Sequence, residues 1–469
     1  MILNKKSRFI NKLLKTISKN NEVISVTHVG SYKHNSIEEI SDIDIVVIVN
    51  KLTKTIYKDI LKEAKSIKIS KFYPDYKIKL NTTFGPLKMS TKNSIVIHLM
   101  IYSYDQHIIH TLESPFTTYD WEYSKEYRKN SLREVKRTYK ISFNDFNNGY
   151  RSSKGYLDNI NKKQISYKEY KFYKNEIALE ERKKNINKIY QIEFSYHIYK
   201  NLLGNYLKFL KNTIRVNDII LVWQETLPEM FKKHIGDYKI LEKNKKDKIY
   251  KYGYNLEKTI KFLNDFEYTL NQFDKESIDL SFVRHLETEQ NKEDVFFGTY
   301  LNSPILLDNN LKSNEFLNVN VEEVYCSDSE RTKMTANLYN FDDIKITKQL
   351  NEVDYGKADG MNVQLFKKRY SNIVLFWRLG FDKRFPHGEN NKDVLDRINS
   401  LVSVAQKNTI YFTHQVPIRV LLGNFYNIRQ KDWYKIQVPH NTLIKFKKYK
   451  GNLYSNIDRN LIETIFKNL

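Results

Sequence analysis

Apolar residues along the first 150 positions follow two spacings, one typical of helices and one typical of strands. In residues 1–20 the apolar positions fall mostly three or four apart, which predicts an amphipathic helix. Runs rich in β-branched residues predict strands at Val23–Val29, Ile43–Val49 and 94–102. The mixture predicts an α+β domain over residues 1–150.

Residues 151–278 have a different pattern, in which apolar side chains recur mostly every three or four positions. The clearest run comprises Ile186, Ile189, Phe194, Ile198, Leu202, Tyr206 and Leu210. Glycine and proline are rare in this stretch, and we find no strand-like alternation. We therefore expect a helical domain over 151–278, with its last helix over 259–272.

A third pattern begins near residue 279 and continues to residue 469. Ser281 opens a predicted strand, Thr409–Thr413 is another, and β and α elements alternate through Ile418. Such alternation is typical of a mostly parallel sheet. We therefore predict an α/β domain here, and an α/β multi-domain protein as a whole. No linker or repeat marks the boundaries.

The composition is that of a folded protein, with 41% hydrophobic residues, 34 Tyr and 26 Phe. A single cysteine, Cys326, excludes an internal disulfide and suits a reducing compartment. The longest apolar run, near residues 95–101, is too short for a membrane span, and residues 1–20 lack the apolar stretch of a signal peptide. We therefore expect a cytoplasmic protein with no membrane partner.

The net charge of +23 raises the question of a nucleic-acid partner. Residues 1–280 carry 51 basic and 33 acidic side chains, against 27 and 22 in residues 281–469, so the excess is mostly N-terminal. Lys, Asn, Ile and Tyr are abundant throughout, however, as an AT-rich coding sequence would give without selection for binding. Charge alone does not establish an RNA or DNA partner, and we do not favour one.

A short motif in the first domain combines small residues with two carboxylates. Gly30 and Ser31 follow the first predicted strand, and Asp42 and Asp44 come at the start of Ile43–Val49. Side chains two apart on a strand point to the same face, where two carboxylates can hold divalent cations for nucleotidyl transfer. The Gly-Ser pair lets backbone N–H groups and a hydroxyl approach a triphosphate closely.

Gly-Ser followed by Asp-x-Asp resembles the polymerase-β-type (MNT-like) nucleotidyltransferase superfamily, over about residues 20–105. The resemblance implies Mg²⁺ held by Asp42 and Asp44, an NTP contacted by Gly30 and Ser31, and a substrate-side helical domain after this one. Asp42 and Asp44 would be catalytic as well as metal-binding.

One position departs from that pattern, because the family usually adds a third carboxylate on a later strand. His98 stands at the natural place in the run 95–101. It could be a metal ligand, a group that orients the site, or simply a hydrogen-bonded histidine on a half-buried strand. Asp120 or Glu122 could instead supply the missing acid. Without an obvious third acid, this half could bind a nucleotide without turning it over.

A second series of polar residues lies in the last domain and is ordered along the chain. It consists of Arg284-His285, Asn291, Ser327 with Arg331, Leu350-Asn351-Glu352, Gly388-Glu389 and His414. This series resembles the histidine phosphatase (phosphoglycerate-mutase-like) superfamily over about the last 190 residues. The resemblance implies hydrolysis of phosphomonoesters through a phosphohistidine, with no cofactor.

The resemblance also implies a role for each residue. His285 would be the nucleophile, and Arg284 and Arg331 would hold the non-bridging oxygens of the phosphate. His414 would complete the cationic pocket, and Glu352 would protonate the leaving oxygen and then activate water. Asn291 matches a substrate-binding position.

Two glycines of that family are absent, since Leu286 follows the nucleophile and Gln415 follows the second histidine. Glycine permits close approach of the backbone to phosphate, so these changes put pocket size, specificity and turnover in question.

Three functions fit both resemblances. The first is a bifunctional enzyme that transfers a nucleotide from an NTP to a small-molecule acceptor and removes a phosphate, for instance on the way to a surface glycan precursor. The second places both reactions on RNA ends, although no RNA-binding signature is present. The third is a regulator whose degenerate transferase half senses nucleotide. The acceptor, the NTP and the oligomeric state cannot be deduced from the sequence.

Overall fold

A computed structural model of the 469-residue chain forms two compact units. The structure describes residues 5–30, 43–87, 94–174, 177–186, 188–211, 229–247, 255–299, 301, 303–306, 319–341 and 343–469. One unit comprises residues 1–141 and 145–269, and the other comprises 142–144 and 270–469. The division into domains at 150 and 278 stays a prediction.

The first unit contains a mixed sheet followed by helices. Its elements, in chain order, are α1 (Lys5–Ile17), β1 (Val23–Val29), β2 (Ile43–Val49), α2 (Lys54–Lys65), β3 (Lys77–Asn81), β4 (Ser94–Ser103), α3 (Tyr104–Glu113), α4 (Pro115–Trp121), β5 (Tyr127–Lys129), α5 (Leu132–Val135), α6 (Phe143–Lys162), β6 (Gln164–Phe172), β7 (Ile177–Asn185), α7 (Lys188–Lys211), α8 (Glu229–Lys232), α9 (Ile235–Asp247) and α10 (Leu256–Glu276), the last of which leads into the second unit. Helix α6 has its first two residues in the second unit and the rest in the first, whereas α10 begins in the first unit and ends in the second.

The five described strands of the first sheet lie in the order β3-β4-β2-β1-β5. Strands β3 and β2 both run parallel to β4, whereas β1 is antiparallel to its two neighbours. The strand bounds of β1 and β2 are those that the hydrophobic runs predict, and β4 extends one residue further than predicted. The α+β architecture predicted for this part of the chain is therefore confirmed.

The two faces of this sheet are covered by different helices. On one face, apolar side chains of α1 and α2, such as Leu13 and Ile60, pack on Ile45 and Val47 of β2. Helix α1 is the amphipathic helix predicted at the start of the chain, and its apolar positions are buried as expected.

The opposite face carries the candidate site. Val46 and Ile48 of β2 pack there with Trp121 and Leu132. Because side chains alternate along a strand, Asp44 lies on this same face, two positions before Val46.

A β-hairpin within residues 151–278 corrects the expectation that no strand pattern occurs there. Strands β6 and β7 pair antiparallel over their full lengths, and a bridge joins Lys168 of β6 to Phe84. Tyr170 of β6 belongs to the core of the first sheet and donates its hydroxyl to the carbonyl of Ile101, 2.8 Å away. Burial against distant residues stabilises this hairpin, so local periodicity did not reveal it.

The second unit is built on another sheet. Its elements are β8 (Ile278–Arg284), β9 (Glu323–Cys326), α11 (Glu330–Asn337), β10 (Ile344–Ile346), α12 (Val363–Arg369), α13 (Ser371–Leu379), α14 (Asn391–Val404), β11 (Thr409–Thr413), α15 (Gln415–Phe425), β12 (Leu443–Tyr449), β13 (Asn452–Ser455) and α16 (Arg459–Ile465). Short 3₁₀ helices lie at Ile69–Lys71 in the first unit and at Glu289–Lys292, Lys348–Leu350, Gly356–Ala358 and Gln430–Lys435 in the second.

The six described strands of this sheet lie in the order β10-β9-β11-β8-β12-β13. The first four are parallel to one another, and β12 and β13 complete the sheet antiparallel. The predicted α/β domain with a mostly parallel sheet is thus confirmed. Strand β11 has the predicted bounds, whereas β8 begins at Ile278, three residues before the predicted start.

The parallel strands have apolar side chains on both faces, as a sheet covered on both sides requires. Every residue of β11 is buried, and Val283, Ile410 and Phe412 share a core with the aliphatic and aromatic residues around them. Among the residues that the structure describes, no helix is both long enough and apolar enough to cross a bilayer.

Candidate functional site

The carboxyl ends of three adjacent parallel strands bring the polar residues of the second unit together. His285 follows β8, Ser327 follows β9 and His414 follows β11. In open α/β sheets this edge is where ligands bind. The N–H of His285 donates to the carbonyl of Thr413 over 3.0 Å, which continues the sheet pairing to the site.

The hydrogen bonds of His285 determine which ring nitrogen carries the proton. Nδ1 lies 2.6 Å from the carbonyl oxygen of Leu286, which can only accept, so Nδ1 is protonated. Nε2 accepts from Nε–H of Arg331 over 3.2 Å, so it carries a lone pair. Complete burial and the nearby guanidinium groups of Arg331 and Arg284 hold the pKa of His285 well below its usual value. The imidazole is therefore neutral, with Nε2 as its nucleophilic nitrogen.

Arg331, the second residue of α11, is almost completely buried. Its NH2 donates to the carbonyl of Gly298 and to Nδ1 of His414, each over 3.0 Å, and its guanidinium lies 4.3 Å from the centroid of the Phe297 ring. Burial lowers the pKa of Arg331 to about 10, which leaves it charged at neutral pH. One arginine thus contacts both histidines of the site.

Arg284 ends β8 and has part of its guanidinium uncommitted. NH1 donates to the carbonyl of Val438 over 2.8 Å, whereas the buried Nε has no hydrogen-bond partner among the described residues. Burial lowers the pKa of Arg284 to about 10. A buried, charged donor without an acceptor is costly, and an anion in the pocket would relieve that cost.

A chain of hydroxyl groups orients His414. Nε2–H donates to Oγ of Ser327 over 2.8 Å, and Oγ of Ser327 lies 2.7 Å from Oγ1 of Thr332. Thr332 in turn donates to the carbonyl of Ser329. Because this series of hydrogen bonds ends at a carbonyl, each hydroxyl must donate toward that end, and Nε2 of His414 must carry the ring proton. Nδ1 of His414 is therefore unprotonated, in agreement with the hydrogen bond that it accepts from Arg331. Burial and Arg331 hold the pKa of His414 well below its usual value. Two arginines, rather than the histidines, therefore supply the positive charge.

Glu352 is buried and interacts electrostatically with Arg331 and Arg284. Its Oε1 accepts the backbone N–H groups of Val353, 2.9 Å away, and of Val416, 3.2 Å away. Burial raises the pKa of Glu352 although these bonds and the arginines lower it in part. A carboxyl group that keeps its proton to higher pH is suited to act as a general acid.

The predicted Gly388-Glu389 pair supports the segment that carries Glu352. Glu389 is ion-paired with Arg397, whose Nε lies 3.1 Å from Oε1. Arg397 also donates to the carbonyls of Gln349 and Glu352, at 2.6 and 3.2 Å. A Cβ on Gly388 would come within 2.2 Å of the carbonyl oxygen of Asp354, so only glycine fits there.

Three other predicted or substituted positions have contacts of their own. Oδ1 of Asn291 accepts from the N–H and the hydroxyl of Thr288, both at 3.0 Å, and thereby caps a 3₁₀ turn. Leu286, in place of a glycine, is buried and donates its N–H to Oγ1 of Thr335. Gln415 lies at the start of α15, with Nε2 at 3.4 Å from Oε1 of Gln437.

Sequence reasoning missed Arg419 and His440, and it placed Tyr355, which follows Glu352 in the ordered series, without giving it a role. Arg419 and Tyr355 interact electrostatically with Glu352, and Nδ1–H of His440 donates to the carbonyl of His285 over 2.7 Å. A lone arginine among the apolar residues of α15 was a usable signal for Arg419. No local pattern singles out His440, which is 155 residues from His285 in the chain.

The candidate site of the first unit centres on Asp44 and His98, which are paired in register on β2 and β4. Oδ1 of Asp44 lies 2.9 Å from Nδ1 of His98. A Cβ on Gly30 would come within 2.7 Å of Oδ2 of Asp44, and Gly30 has a φ of +86°. Ser31 and Asp42, both predicted for this site, lie outside the described residues.

Both ring nitrogens of His98 have partners, because Nε2 donates to the carbonyl of Thr83 over 2.7 Å. The alternative acids are engaged elsewhere. Glu122 is buried, accepts the backbone N–H of Thr138 and has a pKa raised by burial to about 7, and Asp120 is ion-paired with Lys208 at 2.6 Å.

A Mg²⁺ ion needs hard oxygen ligands that it can reach from solvent. The carboxylate of Asp44 is a hard oxygen donor and is 32% exposed, so an ion can reach it. Gly30 packs directly against this carboxylate, since a Cβ there would come within 2.7 Å of Oδ2. Asp44 therefore fits a magnesium ligand, whereas His98 offers no free nitrogen in this conformation.

Two family models match the chain, one in each unit. A model described as "Histidine phosphatase superfamily (branch 1)" matches residues 280–455, and one described as "Nucleotidyltransferase domain" matches residues 10–99.

Characterised relatives match the second unit. "Fructose-2,6-bisphosphatase" of Saccharomyces cerevisiae is 31% identical over 125 residues, 26% of this chain and 27% of that protein. "2,3-bisphosphoglycerate-dependent phosphoglycerate mutase" of Methanococcus vannielii is 25% identical over 152 residues, 30% of this chain and 62% of that protein. The chain thus spans less than two thirds of either relative. The solved structure of Bacillus stearothermophilus YhfR aligns with 39% of this chain and 96% of its own, at 18% identity and a TM-score of 0.34.

The chain therefore joins a nucleotidyltransferase domain to a histidine phosphatase domain, and both families are enzymes.

Proposed function

We propose that the second unit hydrolyses phosphomonoesters through a phosphohistidine formed at Nε2 of His285. The observation that carries the proposal is the neutral tautomer of His285, with its proton on Nδ1 and its lone pair beside Arg331. A buried neutral imidazole between guanidinium groups is a competent nucleophile for phosphorus. The resemblance of the whole ordered series to histidine phosphatases supports the same role.

In the first step, Nε2 of His285 attacks phosphorus and the bond to the ester oxygen breaks. Glu352 donates its proton to the leaving oxygen, which departs as an alcohol. Arg284 and Arg331 bind the non-bridging oxygens, where charge accumulates, because the guanidinium fork matches them. Arg331 must then transfer hydrogen bonds from the two histidines to the phosphate.

In the second step, Glu352 takes a proton from water while the water oxygen attacks phosphorus. The N–P bond breaks, its electron pair returns to Nε2, and inorganic phosphate leaves. Glu352 is then protonated again, and the site is ready for another cycle. We retain Asn291 as a substrate-binding residue, which would affect specificity more than the chemical step.

The substrate that we propose is a small phosphorylated metabolite. Two relatives are named for fructose 2,6-bisphosphate and for 2,3-bisphosphoglycerate, so sugar and glycerate phosphates form the first test set. A phosphohistidine is stable in base and labile in acid. Labelling with a ³²P-phosphomonoester, followed by base and acid treatment of wild type and His285→Ala, tests the intermediate directly. If the two proteins are labelled equally, the phosphoryl group is not on His285 and the proposal is wrong.

For the first unit we propose nucleotidyl transfer from an NTP, with Asp42 and Asp44 as catalytic residues that hold Mg²⁺. Bound Mg²⁺ would neutralise the triphosphate and activate the attacking oxygen. Gly30 and Ser31 would contact the triphosphate, and Asp44 would present Oδ2 to the cation. We assign His98 to the orientation of Asp44, since its two ring nitrogens contact Asp44 and Thr83.

Together the two reactions describe a bifunctional cytoplasmic enzyme of small-molecule metabolism, with domains at 1–150, 151–278 and 279–469. The acceptor would be a hydroxyl or phosphate of a metabolite, such as a precursor of a surface glycan. Incubation with each NTP and Mg²⁺ against a metabolite extract, with pyrophosphate release as the readout, tests the transfer. EDTA should stop this release and spare the phosphatase, whose positive charge comes from arginines.

A second candidate for the first unit is nucleotide binding without turnover. The observation that favours it is His98, which takes the place of an acid and is engaged at both nitrogens. Binding of an NTP without pyrophosphate release from any acceptor would select this candidate. RNA that stays bound to the protein through purification would instead support the function in which both reactions act on RNA ends.

A further inference from the structure

The peptide bond between His285 and Leu286 is held at both of its polar ends by side chains. Its carbonyl oxygen accepts Nδ1–H of His440 over 2.7 Å. Its N–H donates to Oγ1 of Thr335 over 3.0 Å. The two side chains come from separate parts of the chain, Thr335 from α11 and His440 from the segment before β12. The orientation of this peptide plane therefore depends on both.

The directions of these two hydrogen bonds are unambiguous. Thr335 donates its hydroxyl hydrogen to the carbonyl of Arg331 over 2.7 Å, so its oxygen is left to accept from Leu286. His440 can only donate to a carbonyl, so its Nδ1 carries the proton. Burial lowers the pKa of His440 to about 4, which keeps the ring neutral and this tautomer stable at neutral pH.

The segment that carries His440 is itself attached to the nucleophile strand. The N–H of Asn441 donates to the carbonyl of Arg284 over 2.9 Å. The hydroxyl of Thr442 donates to the carbonyl of His440 over 3.1 Å. The His440 ring centroid lies 5.4 Å from that of His285. These contacts place Nδ1–H of His440 at the nucleophile's own carbonyl.

The consequence for the nucleophile follows from the next atom along the chain. Leu286 supplies the carbonyl that accepts Nδ1–H of His285 at 2.6 Å, and this bond selects the tautomer with Nε2 free. A rotation of the 285–286 peptide would carry the Leu286 backbone away from the His285 ring. The ring could then place its proton on Nε2, where it cannot attack phosphorus.

We propose that His440 is a positioning residue of the phosphatase, which acts with Thr335 to hold the 285–286 peptide so that the Leu286 carbonyl keeps the reactive tautomer of His285. This inference deepens, and rests on, the proposed phosphohistidine chemistry. His440 does not react itself, and its effect reaches the substrate only through His285.

A pair of variants at residue 440 separates the hydrogen bond from the volume of the ring. His440→Leu removes the donor, whereas His440→Asn keeps an amide N–H near the position of Nδ1. With p-nitrophenyl phosphate we expect His440→Leu to lower the rate of phosphoenzyme formation roughly 10- to 100-fold, the scale of a misplaced reacting group. KM should change little, and His440→Asn should recover most of the rate.

The tautomer provides a readout that a purely structural role would not change. In ¹⁵N-histidine NMR spectra of the full chain, His285 of wild type should show a protonated Nδ1 and an unprotonated Nε2. His440→Leu should shift intensity toward the opposite tautomer, and Thr335→Val should do the same while Thr335→Ser does not.

The possible failures are distinguishable. If wild type and His285→Ala turn over substrate at the same rate, the proposed phosphatase chemistry itself is wrong. If wild type is active but His440→Leu keeps both the wild-type rate and the wild-type tautomer, the role of His440 is wrong. A thermal melt shows whether each variant is folded, and His440→Asn keeps the test informative if the leucine variant does not fold.

Discussion

Nε–H of Arg331 donates to Nε2 of His285 over 3.2 Å, so the arginine contacts the lone pair of the nitrogen that we propose as the nucleophile. The same guanidinium donates to Nδ1 of His414. Without substrate, Arg331 therefore disfavours protonation of the nitrogen that it contacts in each imidazole, while the Leu286 carbonyl and Ser327 hold the proton on the other nitrogen. When a phosphate arrives, its oxygens are stronger acceptors for this charged donor than either imidazole.

The first prediction concerns the nucleophile. His285→Ala should abolish phosphomonoesterase activity, because the covalent route has no substitute for Nε2. Release of p-nitrophenol measures the activity, and circular dichroism should show an unchanged fold. Pyrophosphate release by the first unit should persist in the same variant. If His285→Ala hydrolyses the aryl phosphate at the wild-type rate, His285 is not the nucleophile.

Arg331→Ala should cost about 2–4 kcal/mol of transition-state stabilisation, the scale of losing a charged donor at a developing anion. Arg331→Lys should recover little of it, because an ammonium group cannot contact His285, His414 and a phosphate at once. The measurement is kcat/KM with an alkyl phosphate. Arg378→Ala, an exposed arginine on α13, is the control and should leave kcat/KM unchanged. A lysine variant as active as wild type would contradict the bidentate role.

The acid and base groups predict a bell-shaped pH profile. The pKa of Glu352 is raised by burial, so its protonated form persists above the usual range and activity falls as pH rises through this raised value. The pKa of His285 is lowered, so the nucleophile stays neutral as pH falls, until it is finally protonated. The profile of kcat/KM should therefore have its alkaline limb set by Glu352 and its acid limb by His285.

Glu352→Gln tests the assignment of the alkaline limb. The variant should lose this limb and hydrolyse alkyl phosphates roughly 10²- to 10⁴-fold more slowly, because it cannot protonate the leaving oxygen. The loss of phosphoenzyme formation should be much smaller with p-nitrophenyl phosphate, whose leaving group departs without a proton. Equal losses with both substrates would assign the proton to another group.

Much of the architecture could be predicted because its cause is local. The runs Val23–Val29, Ile43–Val49 and Thr409–Thr413 are strands with the predicted bounds, since continuous β-branched and aromatic residues favour a buried strand in any context. The hairpin of β6 and β7 could not be predicted, because β7 is largely charged and exposed. Tyr170 is buried only through contacts with residues such as Ile101, far away in the chain.

The candidate phosphatase residues divide in the same way. His285, Arg331 and His414 stand in an ordered motif, so they could be predicted, and the structure brings them into direct contact. His440 and Thr335 act through single hydrogen bonds to a backbone peptide. Such bonds require only one donor or one acceptor at the right place, and that place is determined by the folded sheet rather than by neighbouring residues.

The next prediction concerns Arg397, which holds the backbone of the segment that carries Glu352. Arg397→Met should detach the Gln349 and Glu352 carbonyls and leave Glu389 without its cation. We expect a lower kcat for alkyl phosphates with a smaller change for p-nitrophenyl phosphate, because the displaced group is the general acid. Lys392→Met, which breaks an exposed ion pair on the same helix, is the control and should leave kcat and the melting temperature nearly unchanged. Equal kinetic effects of the two variants would contradict the role of Arg397 in positioning Glu352.

The last prediction tests the first unit through Gly30. Gly30→Ala should abolish NTP-dependent pyrophosphate release, because the new Cβ would come within 2.7 Å of Oδ2 of Asp44 and displace the carboxylate. A left-handed alanine also costs roughly 1–2 kcal/mol. Gly451→Ala controls for that strain, since its φ of +77° is similar and no atom lies within 4 Å of its Cβ. The control should lose comparable stability and keep the transfer. If Gly30→Ala also keeps the transfer activity, the carboxylate of Asp44 beside Gly30 does not hold the cation.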